Sequence, residues 1–324
     1  MFVRSSILAF LLGFAMAGPL FAQFKDAEPQ GTKLGDPKTF RWKAGMVISA
    51  VGGACKGLTG YAPIPIDWPE QQVKIVDEDI SSEAKVDYKI VDGTVKLMTV
   101  KIAHLGAGQE AKALVTLEIK RRPIIPPDEI DMYVLPDLKK LRADVRLYLA
   151  PSPKIESRDP KIRGQAKQII AEHEKAWDKV EAIYDWTREH VKYKEGAPLR
   201  GAIAAMKDGT GDCEDMTSLF IALCRSADIP ARTVWVPGHC YPEFYLEDDK
   251  GEGHWFPCQA AGGREFGGIF ENRPILQKGD NFKPLQGKGE RQRYMAEFLT
   301  GSQSEGGGKP RVKFVRELLG EEQK

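Results

Sequence analysis

An α+β architecture in two parts is what this sequence predicts: a β-sandwich over residues 38–125, then a domain at 159–299 in which helices precede an antiparallel sheet. Three observations carry it. Up to about residue 125 the apolar residues alternate at period two in strand-length runs separated by turn residues. From Ile162 onward they recur at spacings of three and four. A Gly/Asp-rich entry at 209–215 then leads into another helical run, followed by strand-like runs.

The sandwich opens at Thr39-Phe40-Arg41-Trp42, and Val73-Lys74-Ile75-Val76 alternates at period two. Val86 to Ile90 and Val95 to Val100 flank Asp92-Gly93, a dipeptide that favours the positive φ angles of a tight hairpin. Ala113 to Ile119 is a further strand. Pro123, Pro126 and Pro127 close the sandwich, and prolines 136, 151 and 153 punctuate a connector at 126–158. Asp159-Pro160 is a helix start, and Ala166, Ile169, Ile170, Trp177, Val180, Ile183 and Tyr184 continue the apolar face, with room for a break near Glu172. A second helix is expected from Cys213 to Ala227. Strands Ala231–Val236 and His239–Leu246 follow, and His254–Gln259 returns after a turn. Residues 300–324, with their glycine-rich stretch, read as a flexible tail.

Of 324 residues, 42% are hydrophobic and 29% charged, and 47 Lys+Arg against 46 Asp+Glu leave a net charge of +1. That balance provides no field for binding nucleic acid or an anionic membrane surface. At the N-terminus, Arg4 precedes an apolar run from Ile7 to Ala17 and a small-residue site ending Ala22-Gln23. This is the pattern of a signal peptide, residues 1–22, with Ala15-Met16-Ala17 as another cleavage site and an uncleaved anchor as the rival reading. The run is shorter than the ~20 residues a spanning helix needs, so the expectation is a soluble protein, secreted or periplasmic. Such a compartment permits disulfides, and five cysteines leave at least one thiol over.

The chemistry concentrates at Gly209-Thr210-Gly211-Asp212-Cys213-Glu214-Asp215. Asp212 is a natural N-cap, which puts Cys213 in the first helical turn. There the helix dipole and unpaired N–H groups favour an anion, so a thiol loses its proton readily and becomes nucleophilic. The Cys213 N–H could also hold an oxyanion. The bland alternative is an ordinary buried cysteine; the polar lead-in and acidic neighbours argue for an accessible one. Of five histidines, His104, His173 and His190 are explained by strand or helix positions. His239 and His254 remain as candidate bases. His239 is preferred because it begins a strand after Pro237-Gly238.

Gly211-Asp212-Cys213, Leu219 to Arg225, Ile229-Pro230-Ala231-Arg232 and His239 to Tyr245 together resemble the transglutaminase-like superfamily, as do Ala182 to Trp186 and Val191 to Tyr193. The resemblance covers about residues 165–262. It implies a papain-like core with a Cys-His-Asp triad, Cys213 as nucleophile and His239 as base, and an N-terminal sandwich as common company. It also implies amide substrates; no cofactor or metal is expected. Where the family has Asp, four residues after a Trp, this chain has Gln259. A hairpin centred on Asp249 would set His239 opposite Gln259, and a neutral amide can still orient an imidazole without stabilising its charge. The same register sets Cys240 opposite Cys258, as a cross-strand disulfide or two buried thiols. A zinc site drawn from Cys213, His239, Cys240, His254 and Cys258 is disfavoured, since no close CxxC or HxxxH pair is present.

These features lead to the expectation of an exported thiol acyl-transfer enzyme acting on protein or peptide amides, either a peptidase/amidase or a protein-glutamine acyltransferase. The alternative is a catalytically impaired binding module on the same fold.

Overall fold

The computed structural model describes residues 31–196, 198–285, 289–303 and 309–321. The expected leader at 1–22 lies outside them. The first strands are β1 (Lys33–Leu34), β2 (Lys38–Val51), β3 (Cys55–Ile64), β4 (Gln71–Ile80), β5 (Ala84–Val91), β6 (Val95–Leu105), β7 (Glu110–Arg121) and β8 (Ile124–Ile125). Then come α1 (Ala143–Arg146), α2 (Pro160–Ile170), α3 (Ala176–His190), β9 (Lys192–Tyr193), α4 (Ala202–Asp208), β10 (Thr210–Gly211) and α5 (Cys213–Ser226). The chain ends with β11 (Ala231–Val236), β12 (His239–Glu247), β13 (Gly253–Pro257), β14 (Gln277–Lys278), β15 (Phe298–Gln303) and β16 (Lys309–Glu321).

Two four-stranded sheets, β15-β3-β6-β5 and β16-β2-β7-β4, form the sandwich. Period-two alternation turns Met46, Ile48, Leu58, Val100, Ile102, Val115 and Leu117 into one shared core. Asp92 and Gly93 take φ of 50° and 70° in the turn where Val91 pairs with Val95.

The C-terminus corrects an expectation. Residues 300–324, read as a flexible tail, supply most of β15 and all of β16, which pair with β3 and β2 on the outer edges of the two sheets. Leu299, Val312 and Phe314 pack against the sandwich core. Glycines disfavour strand only where they stand; the alternation on either side of them decides the rest. The sandwich is therefore discontinuous in sequence, with the second domain inserted between β7 and β15.

In that domain α5 packs against one face of the antiparallel sheet β13-β12-β11-β14. Phe220 and Leu223 of α5 meet Trp177 and Tyr184 of α3 and Phe244 and Phe256 of the sheet in one core. The expected long helix is interrupted between Ile170 and Ala176, giving α2 and α3. The connector is not a free linker: Tyr133 is buried in this core, and Val134 pairs with Glu247.

The β12–β13 register differs from the expected one. Glu243 pairs with Pro257 and Leu246 with His254, a hairpin centred on Lys250 and not on Asp249. Asp248 sets this turn by accepting from the N–H of Lys250 (2.9 Å) and of Glu252 (2.8 Å). The shift moves each partner by two residues, which preserves faces but separates Cys240 from Cys258. Cys258 N–H donates instead to the Pro242 carbonyl at 3.0 Å. Among the described residues, which include all five cysteines, there is no disulfide.

The sheet face away from α5 is fixed to the sandwich by buried charges. Lys278 Nζ lies 2.7 Å from Glu70 and 2.6 Å from Glu243, and Arg232 Nε lies 2.8 Å from Glu243. Arg121, at the end of β7, donates to the Tyr241 hydroxyl at 3.3 Å. This network sets how the sandwich approaches the end of the sheet where His239 sits.

Candidate active site

Cys213 is the first residue of α5. Asp212 caps the helix from an extended conformation, accepting with Oδ1 from the N–H of Glu214 (2.9 Å) and of Asp215 (3.1 Å). The N–H of Cys213 stands in the first turn, where the helix itself supplies no acceptor. Gly211 lies so close to the helix that a Cβ there would meet the Asp215 side chain at 2.6 Å. Fully buried Asp215 accepts from the N–H of Arg200 (2.9 Å) and Gly201 (2.8 Å), tying the preceding loop to the helix start.

His239 opens β12 directly after the Pro237-Gly238 turn, where Gly238 has φ 71° and Val236 pairs with His239. Its Nε2 lies 2.8 Å from Gln259 Oε1. An amide oxygen accepts, so Nε2 carries the proton and Nδ1 is left for the hydrogen bond with the Cys213 sulfur. Gln259 is itself held by its backbone. Its N–H donates to Glu265 (2.8 Å), and its carbonyl accepts from the Tyr184 hydroxyl (3.0 Å) and from Arg188 Nη1 (2.8 Å).

The structure thus brings Cys213, His239 and Gln259 into one hydrogen-bonded chain. In the observed register Gln259 follows Cys258, whose N–H still bonds to the Pro242 carbonyl, so the amide reaches His239 diagonally across the strands and not from directly opposite. His254, the other histidine weighed as a base, lies towards the far end of the hairpin, 3.0 Å from Asp248. Together with Glu252 these two form an acidic/His cluster, away from Cys213.

Electrostatics favour the ion pair. The Cys213 thiol is pulled down to about 4 by a hydrogen bond from the Cys240 thiol, against desolvation, and then by the hydrogen bond and charge of His239. For His239, burial disfavours the charged ring, but hydrogen bonds to Cys213 and Gln259 outweigh it and raise its pKa. Burial pushes the thiols of Cys224, Cys240 and Cys258 well above their ordinary range, so these remain neutral.

The sulfur opens into a cleft of about 900 Å³ whose walls include Tyr193, Trp235, Arg293 and Tyr294. Trp42 of β2 and Arg316 of β16 also line it, so the sandwich forms one side. Arg293 stacks 5.3 Å from the Trp235 ring centre, with Nε 3.3 Å from Glu214. No local sequence pattern links Trp42 or Arg316 to Cys213.

Residues 163–260 match the family model of the transglutaminase-like superfamily. An uncharacterised protein of Haemophilus influenzae is 24% identical over 187 residues, 54% of this chain and 48% of that protein, so the chain spans about half the length of this relative. The crystal structure of a Cytophaga hutchinsonii protein named as a candidate cysteine protease aligns with a TM-score of 0.58 at 19% identity, covering 88% of this chain and 92% of that one. The described helices include none long and apolar enough to cross a membrane. Sequence motifs and fold agree: over residues 163–260 this chain carries a transglutaminase-like domain.

Proposed function

We propose that this protein is a cysteine-nucleophile acyl-transfer enzyme acting on amide bonds of protein or peptide substrates, with hydrolysis as its main outcome. The observation that carries the reading is the continuous chain from the Cys213 sulfur through His239 to Gln259 Oε1 at 2.8 Å, opening on a large cleft. In the reaction the Cys213 thiolate attacks the amide carbonyl, and the oxyanion that forms faces the free N–H of Cys213. Protonated His239 donates to the departing amine, leaving a thioester. The imidazole then takes a proton from water, or from an acceptor amine, as that nucleophile releases the acyl group. The signal-peptide pattern of residues 1–22 supports a location of this chemistry outside the cytoplasm.

Gln259 favours one rival, an impaired module that keeps the fold but binds without turnover. Iodoacetamide labelling across pH separates the two. Cys213 of the native protein should react far below the ordinary thiol range of ~8.5 and lose that reactivity in His239→Ala. If no thiol of the folded protein reacts early, the enzyme reading is wrong.

A further inference from the structure

Cys240 follows His239 directly in β12 and is fully buried. Cys224 and Cys258 are equally buried, but both belong to the apolar core beneath α5, whereas Cys240 is not part of that cluster. It is tied instead to the first turns of α5. Thr217 Oγ1 donates to the Cys240 carbonyl at 3.5 Å, and Cys240 Sγ lies 3.7 Å from the Cys213 carbonyl oxygen. This placement beside Cys213 lets the Cys240 thiol, and the Cys240 N–H with it, donate towards the Cys213 sulfur and lower its pKa.

A thiol has one proton to donate, and two acceptors on Cys213 compete for it. When Cys213 is neutral or acylated, its carbonyl is the acceptor. When Cys213 is ionised, the charged sulfur is the stronger acceptor, because hydrogen bonds to ions are roughly twice as strong as neutral ones. We propose that Cys240 is a positioning residue whose S–H holds the Cys213 thiolate, supplying at the sulfur end the stabilisation that Gln259 cannot supply at the imidazole end. No solvent reaches Cys240, so its proton stays in place over the working range and the donor is always loaded. The inference deepens the proposed function and rests on it.

Other groups also face Cys213. Tyr193 lies on β9, Asp212 and Glu214 at the helix start, His239 on β12 and Arg273 on the loop before β14. Substitution at 240 leaves all of these in place, so a change in Cys213 ionisation in such variants reports on the S–H donor.

The test is the pH dependence of Cys213 alkylation by iodoacetamide in the full chain, assigned by peptide mass, for the wild type, Cys240→Ala and Cys240→Ser. The wild-type rate should rise through a midpoint near 4. Cys240→Ala should move that midpoint up by about one unit or more, a tenfold loss of thiolate per unit below the new midpoint. Cys240→Ser, nearly isosteric and with a hydroxyl donor, should return most of the way to wild type. If the Ala profile superimposes on the wild type, or the Ser profile follows Ala, Cys240 is only packing and the proposal is overturned. If the Ala variant does not fold, the Ser variant decides alone, since a hydroxyl that fails to hold the midpoint within about half a unit of wild type refutes the donor role. A wild type without an early-reacting thiol would instead refute the enzyme reading, which distinguishes the two failures.

Discussion

His239 Nε2 and Gln259 Oε1 stand 2.8 Å apart, so the imidazole beside Cys213 is oriented by an amide and not by a carboxylate. Orientation and charge, usually supplied by one side chain, are separated here. Gln259 fixes the tautomer; the charge of the imidazolium is balanced by the Cys213 thiolate, with the Glu271 carboxylate also within electrostatic reach.

Substitution at 259 should therefore dissect the two roles. Gln259→Glu adds a charge at unchanged length and should raise the His239 pKa, moving the alkaline limb of kcat/KM up by about one unit or more. Gln259→Leu removes orientation too and should lower kcat by roughly 10- to 1,000-fold with little change in KM. An unaltered kcat in Gln259→Leu would show that the amide plays no part.

The pH profile follows from the signs of the two shifts. Cys213 is depressed to about 4, so its thiolate is present above that value and lost as pH falls through it. His239 is raised, so the imidazolium persists above the ordinary histidine range and is lost as pH rises further. Amide turnover needs both and should be bell-shaped; alkylation by iodoacetamide needs only the thiolate and should lack the alkaline limb. Matching alkaline limbs in the two assays would contradict the assignment.

Lys278 lies between Glu70 and Glu243, almost wholly buried. Lys278→Met leaves two carboxylates without their shared cation and should cost about 3–5 kcal/mol, read as a fall in the denaturant midpoint. A loss below about 1 kcal/mol would mean that the network is dispensable to the domain junction.

Removing residues 309–324 deletes β16 and exposes the long edge of β2. The truncated protein should unfold at lower denaturant and self-associate through the open edge. A truncation that stayed monomeric with an unchanged unfolding midpoint would restore the view of this segment as a tail.

Much of the site was legible because it is local. An N-cap, a helix start and a Pro-Gly turn depend on residues a few positions apart, so Asp212, Cys213 and Gly238 announce themselves. The α+β class and the transglutaminase-like core were legible for the same reason, through periodicity and clustered motifs. The register of β12 and β13 was not, because period-two patterns are unchanged by a shift of two residues and only the Asp248 turn chooses between them.

What the sequence determined by itself is most of the helices and strands before residue 300 and where a reactive thiol would stand. What only the tertiary structure decided is which distant groups meet that thiol: the S–H of Cys240 and the wall of Trp42 and Arg316. It also decided that β15 and β16, which follow the inserted domain, complete the sandwich begun before it. Local propensity acts over a few residues, whereas these contacts are made by packing across the fold, and no short-range pattern encodes them.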